Sequence, residues 1–153
     1  MPERKLQYQT LENKLDIGFF VTAPSLERLY IDAGLSLSDQ LVKLDLVEAS
    51  QKQSVAVSGN TREELMVKWL SEILSLFERH QFVTKRIVFN YFDGEAIRAT
   101  LWGELHQPIK HGHVSEIKAV PCQQLELGDS STPEPHFYAR VFLDLSTKKS
   151  PQK

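Results

Sequence analysis

The chain has 153 residues, with 18 Lys and Arg against 20 Asp and Glu, and one cysteine, Cys122. That is the length of one domain able to bury a core without staples; a net charge of −2 excludes a general basic grip on nucleic acid or membrane, and one cysteine excludes an internal disulfide framework. No run reaches the roughly 18 apolar residues of a membrane span, and the opening MPERKLQYQT lacks a signal peptide's apolar segment, so the sequence reads as a soluble cytoplasmic protein without strong direct nucleic-acid binding.

Lys14 to Thr22 alternates Leu15, Ile17, Phe19 and Val21 with Asp16, Gly18, Phe20 and Thr22, which predicts a strand carrying Asp16 on its less apolar face. Ser25 then serves as an N-cap for a helical pattern through Leu26, Leu29, Tyr30, Ala33 and Leu37. Val55 and Val57 before Gly59 suggest a further strand. Thr61 to His80 is the strongest signal: Leu65, Trp69, Ile73 and Phe77 recur in steps of four, and Met66, Leu70, Leu74 and Leu76 widen the stripe to that of a buried helix. Thr61 and Glu64 form the pattern of a capping box, and Glu64 and Lys68 sit one turn apart in the favourable order.

Thr84 to Phe92 and Glu95 to His106 flank Asp93-Gly94, a dipeptide suited to a two-residue hairpin turn. In the second arm Ile97, Ala99, Leu101, Gly103 and Leu105 face one way, and Arg98, Thr100, Trp102, Glu104 and His106 the other. Gln107 to Ser115 reads as a loop, and Glu116 to Leu127 as a strand interrupted at Pro121, which has no N–H for a ladder. His136 to Leu145 alternates cleanly, with Phe137, Ala139, Val141, Leu143 and Leu145 inward and Asp144 outward. The expected fold is α+β, a two-layer sandwich of one largely antiparallel sheet with two helices on one face; it forms one domain over 1–153, with an ordered core from about 14 to 145 and a flexible tail from 146 to 153.

Asp16 and Asp144 each lie in an apolar strand, where a carboxylate needs water, a partner or a metal; if the first and last strands are neighbours, the two can share a hard cation. His106, His111, His113 and Cys122 do not have the spacing of a structural zinc site and read as solvated loop residues. No glycine-rich phosphate loop, G-x-S-x-G or H-E-x-x-H motif occurs.

Five segments in order resemble one family: Asp16-Ile17-Gly18; LMVKWLSEILSLF in the central helix; Gly103-Glu104; His111 followed by Glu116-Ile117-Lys118-Ala119-Val120; and Leu143-Asp144-Leu145. Over about 15–145 the chain resembles archease, a small protein that acts as a cofactor of RtcB-type RNA-splicing ligases. The resemblance implies a non-catalytic accessory that promotes guanylylation and multiple turnover of the ligase in tRNA splicing or RNA repair. It also implies a divalent-cation site, seen in the family with calcium, at Asp16, Asp144 and Leu145, and partner-facing residues at Glu104, His111, Glu116 and Lys118. Some archeases are also described as chaperone-like modulators of a tRNA methyltransferase. The sequence departs from the family where Asn13-Lys14-Leu15 stands for His-Thr-Ala and Pro121-Cys122-Gln123 for Thr-Tyr-His; eight residues follow Leu145, which leaves its backbone carbonyl as the metal ligand there. A metal-dependent hydrolase or nuclease using Asp16, Asp144 and Glu104 is the competing reading from another class.

Overall fold

A computed structural model describes residues 6–12, 17–112, 117–119 and 125–145, with the backbone alone at 12, 17, 117–119, 144 and 145. The elements in order are β1 (Gln9–Glu12), β2 (Ile17–Ala23), α1 (Leu26–Leu41), a short 3-10 turn (Leu44–Leu46), β3 (Gln51–Ser58), α2 (Arg62–His80), β4 (Phe82–Phe92), β5 (Ala96–Leu105), α3 (Pro108–His111), β6 (Ile117–Ala119), β7 (Leu125–Ser130) and β8 (His136–Leu145). The expected flexible tail, 146–153, lies outside the described residues.

The expected α+β architecture of antiparallel strands and packed helices is what the chain adopts, with the described strands divided between two sheets. In the larger, β1, β2 and β8 follow one another, and β6 and β7 both pair with the far edge of β8: Leu145 and Asp144 meet Ile117 and Ala119, whereas residues 136–141 meet β7. The interrupted strand read around Pro121 is thus two short strands on one edge. The smaller sheet has the order β3-β5-β4. The two helices pack against each other and against both sheets.

Helix α2 forms where its pattern places it. Thr61 Oγ1 accepts from the Glu64 amide at 3.0 Å, while the Glu64 carboxylate reaches the Asn60 amide at 2.8 Å, one residue earlier than a strict capping box. Glu64 and Lys68 pair at 3.2 Å. Leu65, Met66, Trp69, Leu70 and Ile73 are buried between the sheets with Leu29, Tyr30, Ala33 and Leu37 of α1. Trp69 Nε1–H donates to the Tyr30 carbonyl at 2.7 Å, satisfying the one polar atom of the largest buried side chain. The β4–β5 hairpin also forms, turning through Gly94 (φ 89°), with the Asp93 carboxylate accepting from the Glu95 and Ala96 amides.

Two features escaped the sequence. β1 is a polar QTLE segment with no clean alternation, held as a strand by pairing with β2. α3 stands where a loop was expected, with Pro108 at its first turn, a position in which the missing N–H breaks no bond.

Candidate functional site

Glu104 is the penultimate residue of β5, on the face that alternation assigns to solvent, yet it is only 5% exposed. The cause is α3, which folds back over it. Lys110 Nζ lies 2.8 Å from Glu104 Oε2, and the Glu48 amide donates to the same oxygen at 2.9 Å. His111, expected in a solvated loop, is buried at 2.9 Å from that oxygen. Its Nδ1 accepts the Gln107 amide at 2.9 Å, so Nε2 carries the proton and donates to Glu104. The His111 ring stacks on His106, which meets Phe77 of α2 edge-on. Burial pushes the Glu104 carboxyl up, but the hydrogen bonds from Lys110, His111 and the Glu48 amide outweigh it and hold the group at about 2. In turn the Glu104 carboxylate raises the Lys110 ammonium.

That depressed value has a testable sign. The stabilisation is fully present above the ordinary carboxyl value of 4.5 and is lost as pH falls through about 2. Glu104→Gln should therefore lower stability at pH 7 by about 2 kcal/mol, the scale of a hydrogen bond to a charged group. It should also flatten the stability curve between pH 4.5 and 2. Urea titrations of both proteins across that window check this; parallel curves would remove Glu104 from the acid response.

Gly103 brings β5 close to β4 next to Glu104, and Gly18 brings β2 close to β8 in the larger sheet. A Cβ on Gly103 would strike the Val83 carbonyl, and one on Gly18 the Val141 carbonyl. Both glycines belong to segments quoted above, Gly103-Glu104 and Asp16-Ile17-Gly18, so part of what those motifs specify is close backbone approach.

Of the two aspartates, Asp16 lies outside the described residues and Asp144 is described by its backbone. The condition set for a shared cation, that the first and last strands be neighbours, is met by β2 and β8: Ile17, which follows Asp16, pairs with Leu143, which precedes Asp144. Leu145 and Asp144 also pair with β6, the strand containing Lys118, while Glu116 lies outside the described residues. The structure thus joins Glu104 to His111 by side chains, and Asp144, Leu145 and Lys118 by strand pairing. The last turns of α1 link the two groups: Gln40 Nε2 donates to the Gly18 carbonyl at 2.8 Å, and Ser38 Oγ to the Thr84 carbonyl at 2.7 Å, next to Gly103 in the register.

Gln40 Oε1 is buried and has no hydrogen-bond partner among the described residues. An amide oxygen with no donor among the described residues, held against β2, suits a hard cation, and so do carboxylates and a backbone carbonyl. By donor chemistry these groups suit a divalent cation; among the described residues no three His, Cys, Asp or Glu side chains converge on such a site. Lys110 and Gln40 were missed in the sequence. Pro108 as a helix start was the available sign for Lys110; nothing local pointed to Gln40.

The family model of the Archease protein family matches residues 8–145. Protein archease of Methanosarcina mazei is 32% identical over 131 residues, covering 83% of this chain and 90% of the relative. Protein archease of Thermoplasma acidophilum is 29% identical over 142 residues, covering 93% and 96%. The solution structure of protein 1598 of Methanobacterium thermoautotrophicum superposes with a TM-score of 0.72 at 25% identity, covering 90% of this chain and 98% of that one. A crystal structure from Thermotoga maritima, described as an archease and possible chaperone, shares the fold at a TM-score of 0.54 and 13% identity, over 94% and 98%.

Proposed function

This chain belongs to the archease family, and we propose that it is a non-catalytic protein cofactor of an RtcB-type RNA ligase, promoting guanylylation of the ligase's active-site histidine and its repeated turnover. The observation that carries the reading is the Glu104–Lys110–His111 cluster beside Ile109, an isoleucine that α3 leaves fully exposed, at 102%. A buried carboxylate fixes a charged ammonium next to an apolar anchor, which suits docking to another protein better than turnover of a small substrate. Lys110 keeps a third of its side-chain surface open to an acidic group of the ligase, while His111 and the Glu48 amide hold the carboxylate that positions it.

A divalent cation, calcium by family resemblance, would be held by Asp16, Asp144 and the Leu145 carbonyl, with Gln40 Oε1 close to the same strands, and would supply fixed positive charge there. A cytoplasmic location accompanies this reading.

Ligase guanylylation measured with and without the protein tests it. Stimulation of rate and of turnover number is expected; none with the ligase of the same source would overturn the reading. The second reading, a chaperone-like partner of another protein such as a tRNA methyltransferase, draws on Leu46, Leu105 and Ile109, all more than 40% exposed. It predicts protection of that client from aggregation without any effect on the ligase.

A further inference from the structure

The net charge of −2 is unevenly spread. β3, β4 and β5 carry Lys52, Lys85, Arg86 and Arg98 against one acid, Glu104, which is buried under Lys110. Lys85 turns aside to donate to the Leu44 carbonyl at 2.7 Å. The other three cations lie on the open face of the small sheet, the face opposite Val55, Ile87, Ile97, Ala99 and Leu101 in the core.

On that face the cross-strand register builds rows. Lys52 and Arg86 both pair with Trp102, and their cationic heads lie 5.5 and 5.3 Å from its ring centroid. The next row is Ser54, Thr100 and Val88, and beyond it Ala56 and Arg98, with Arg98 Cζ 4.9 Å from the centroid of exposed Tyr91. Thr100 Oγ1 donates to Asn90 Oδ1 at 3.0 Å. Small side chains there leave a depression of about 320 Å³ lined by Ser54, Ala56, Asn90 and Arg98. Exposed acids border the face at both ends: Glu48 ahead of β3, and Asp93 and Glu95 in the hairpin turn, where Asp93 Oδ2 accepts from the Tyr91 hydroxyl at 2.6 Å.

We propose that this face binds single-stranded RNA. An open sheet surface that interleaves aromatic rings with cations is how unrelated folds hold single strands, bases stacking on rings and guanidinium planes while the cations meet phosphates. Arg86, backed by the Trp102 ring, offers a guanidinium plane on which a base stacks, and Lys52 on the other side of the ring a charge for a phosphate. The hydroxyl and amide groups of Ser54, Thr100 and Asn90 lie between the two basic rows, where a ribose 2′-OH finds donors and acceptors. Duplex keeps its phosphates but has no free base faces to stack, so it should bind more weakly. The inference does not rest on the ligase reading, because binding is measured on this protein alone.

The test is fluorescence anisotropy with a labelled 12-nucleotide oligouridine. Binding should weaken with salt at a slope of about −2 in log K against log salt, from three cations at about 0.7 each. Trp102→Ala should weaken binding about tenfold or more. Arg86→Ala with Lys52→Ala should do the same and lower the slope, which keeps the proposal testable if the Trp102 variant does not fold. Lys68→Ala on α2 should leave binding unchanged. DNA of the same sequence should bind more weakly, and equal binding would overturn the choice of RNA. No binding in low salt, equal affinity for duplex, or full competition by polyglutamate would overturn the proposal, the last by making an acidic protein segment the ligand.

Discussion

Gly103→Ala is expected to destabilise the protein by about 3 kcal/mol, at the upper end of what overpacking produces. The added methyl would strike the Val83 carbonyl, and a backbone atom cannot swing aside as a side chain does. Thr84, Gly103 and Gln51 are cross-strand partners, so relief would require β5 to separate from a neighbour. Most domains have only about 5–15 kcal/mol to lose. Gly94→Ala is the matched control: nothing lies near its Cβ, and the penalty is the positive φ alone, about 1–2 kcal/mol. Urea denaturation should give a much lower midpoint for Gly103→Ala at unchanged slope. Equal losses at the two glycines would mean that conformation, and not close approach, fixes Gly103.

Asp144→Ala should abolish stimulation of ligase guanylylation, returning the rate to that of the ligase alone. Aspartate is a poor strand residue and alanine a slightly better one, so β8 loses no intrinsic preference by the change. The packing of the strand comes from Ala139, Val141 and Leu143, all at 0% exposure, and these are untouched. A cation shared between Asp16 and Asp144 would lose a charged ligand, so calcium binding by calorimetry should fall with the stimulation. Lys118→Ala should weaken stimulation without abolishing it. Full stimulation by a folded Asp144→Ala protein that no longer binds calcium would remove the carboxylate and its metal from the function.

Periodicity made the helices and the long strands legible. Trp69 and its stripe named α2, Ser25 accepts the Arg28 amide as the N-cap of α1, and the range His136–Leu145 is the strand as observed. The division into two sheets was not legible, because alternation says which face of a strand is buried and not which strand lies beside it. The functional end was readable only in part. Glu104 was marked by its motif, but its burial depends on α3 folding back from six residues away, and strand alternation placed it in water. The basic face of the small sheet was hidden by summation: a total of −2 conceals three cations that meet only when β3, β5 and β4 align.

The place of β8 sets the order of assembly. It is the last of the described elements and lies inside its sheet, between β2 and the β6–β7 edge, so Phe19 waits for Val141 across more than a hundred residues of chain. The small sheet and α2 lie within 51–105 and close through a hairpin and the crossover that α2 itself makes between β3 and β4. Loop-closure entropy favours the near contacts first. A chain emerging from the ribosome can fold 51–105 while β1, β2 and half of the helical layer still lack their partner. During that interval Phe19 and Val21 have α1 and Tyr8 beside them but lack Val141 and Ala139, their partners across β8. Pairing of β8 with β2 on one side and with β6 and β7 on the other closes the larger sheet, making this strand the keystone of the fold.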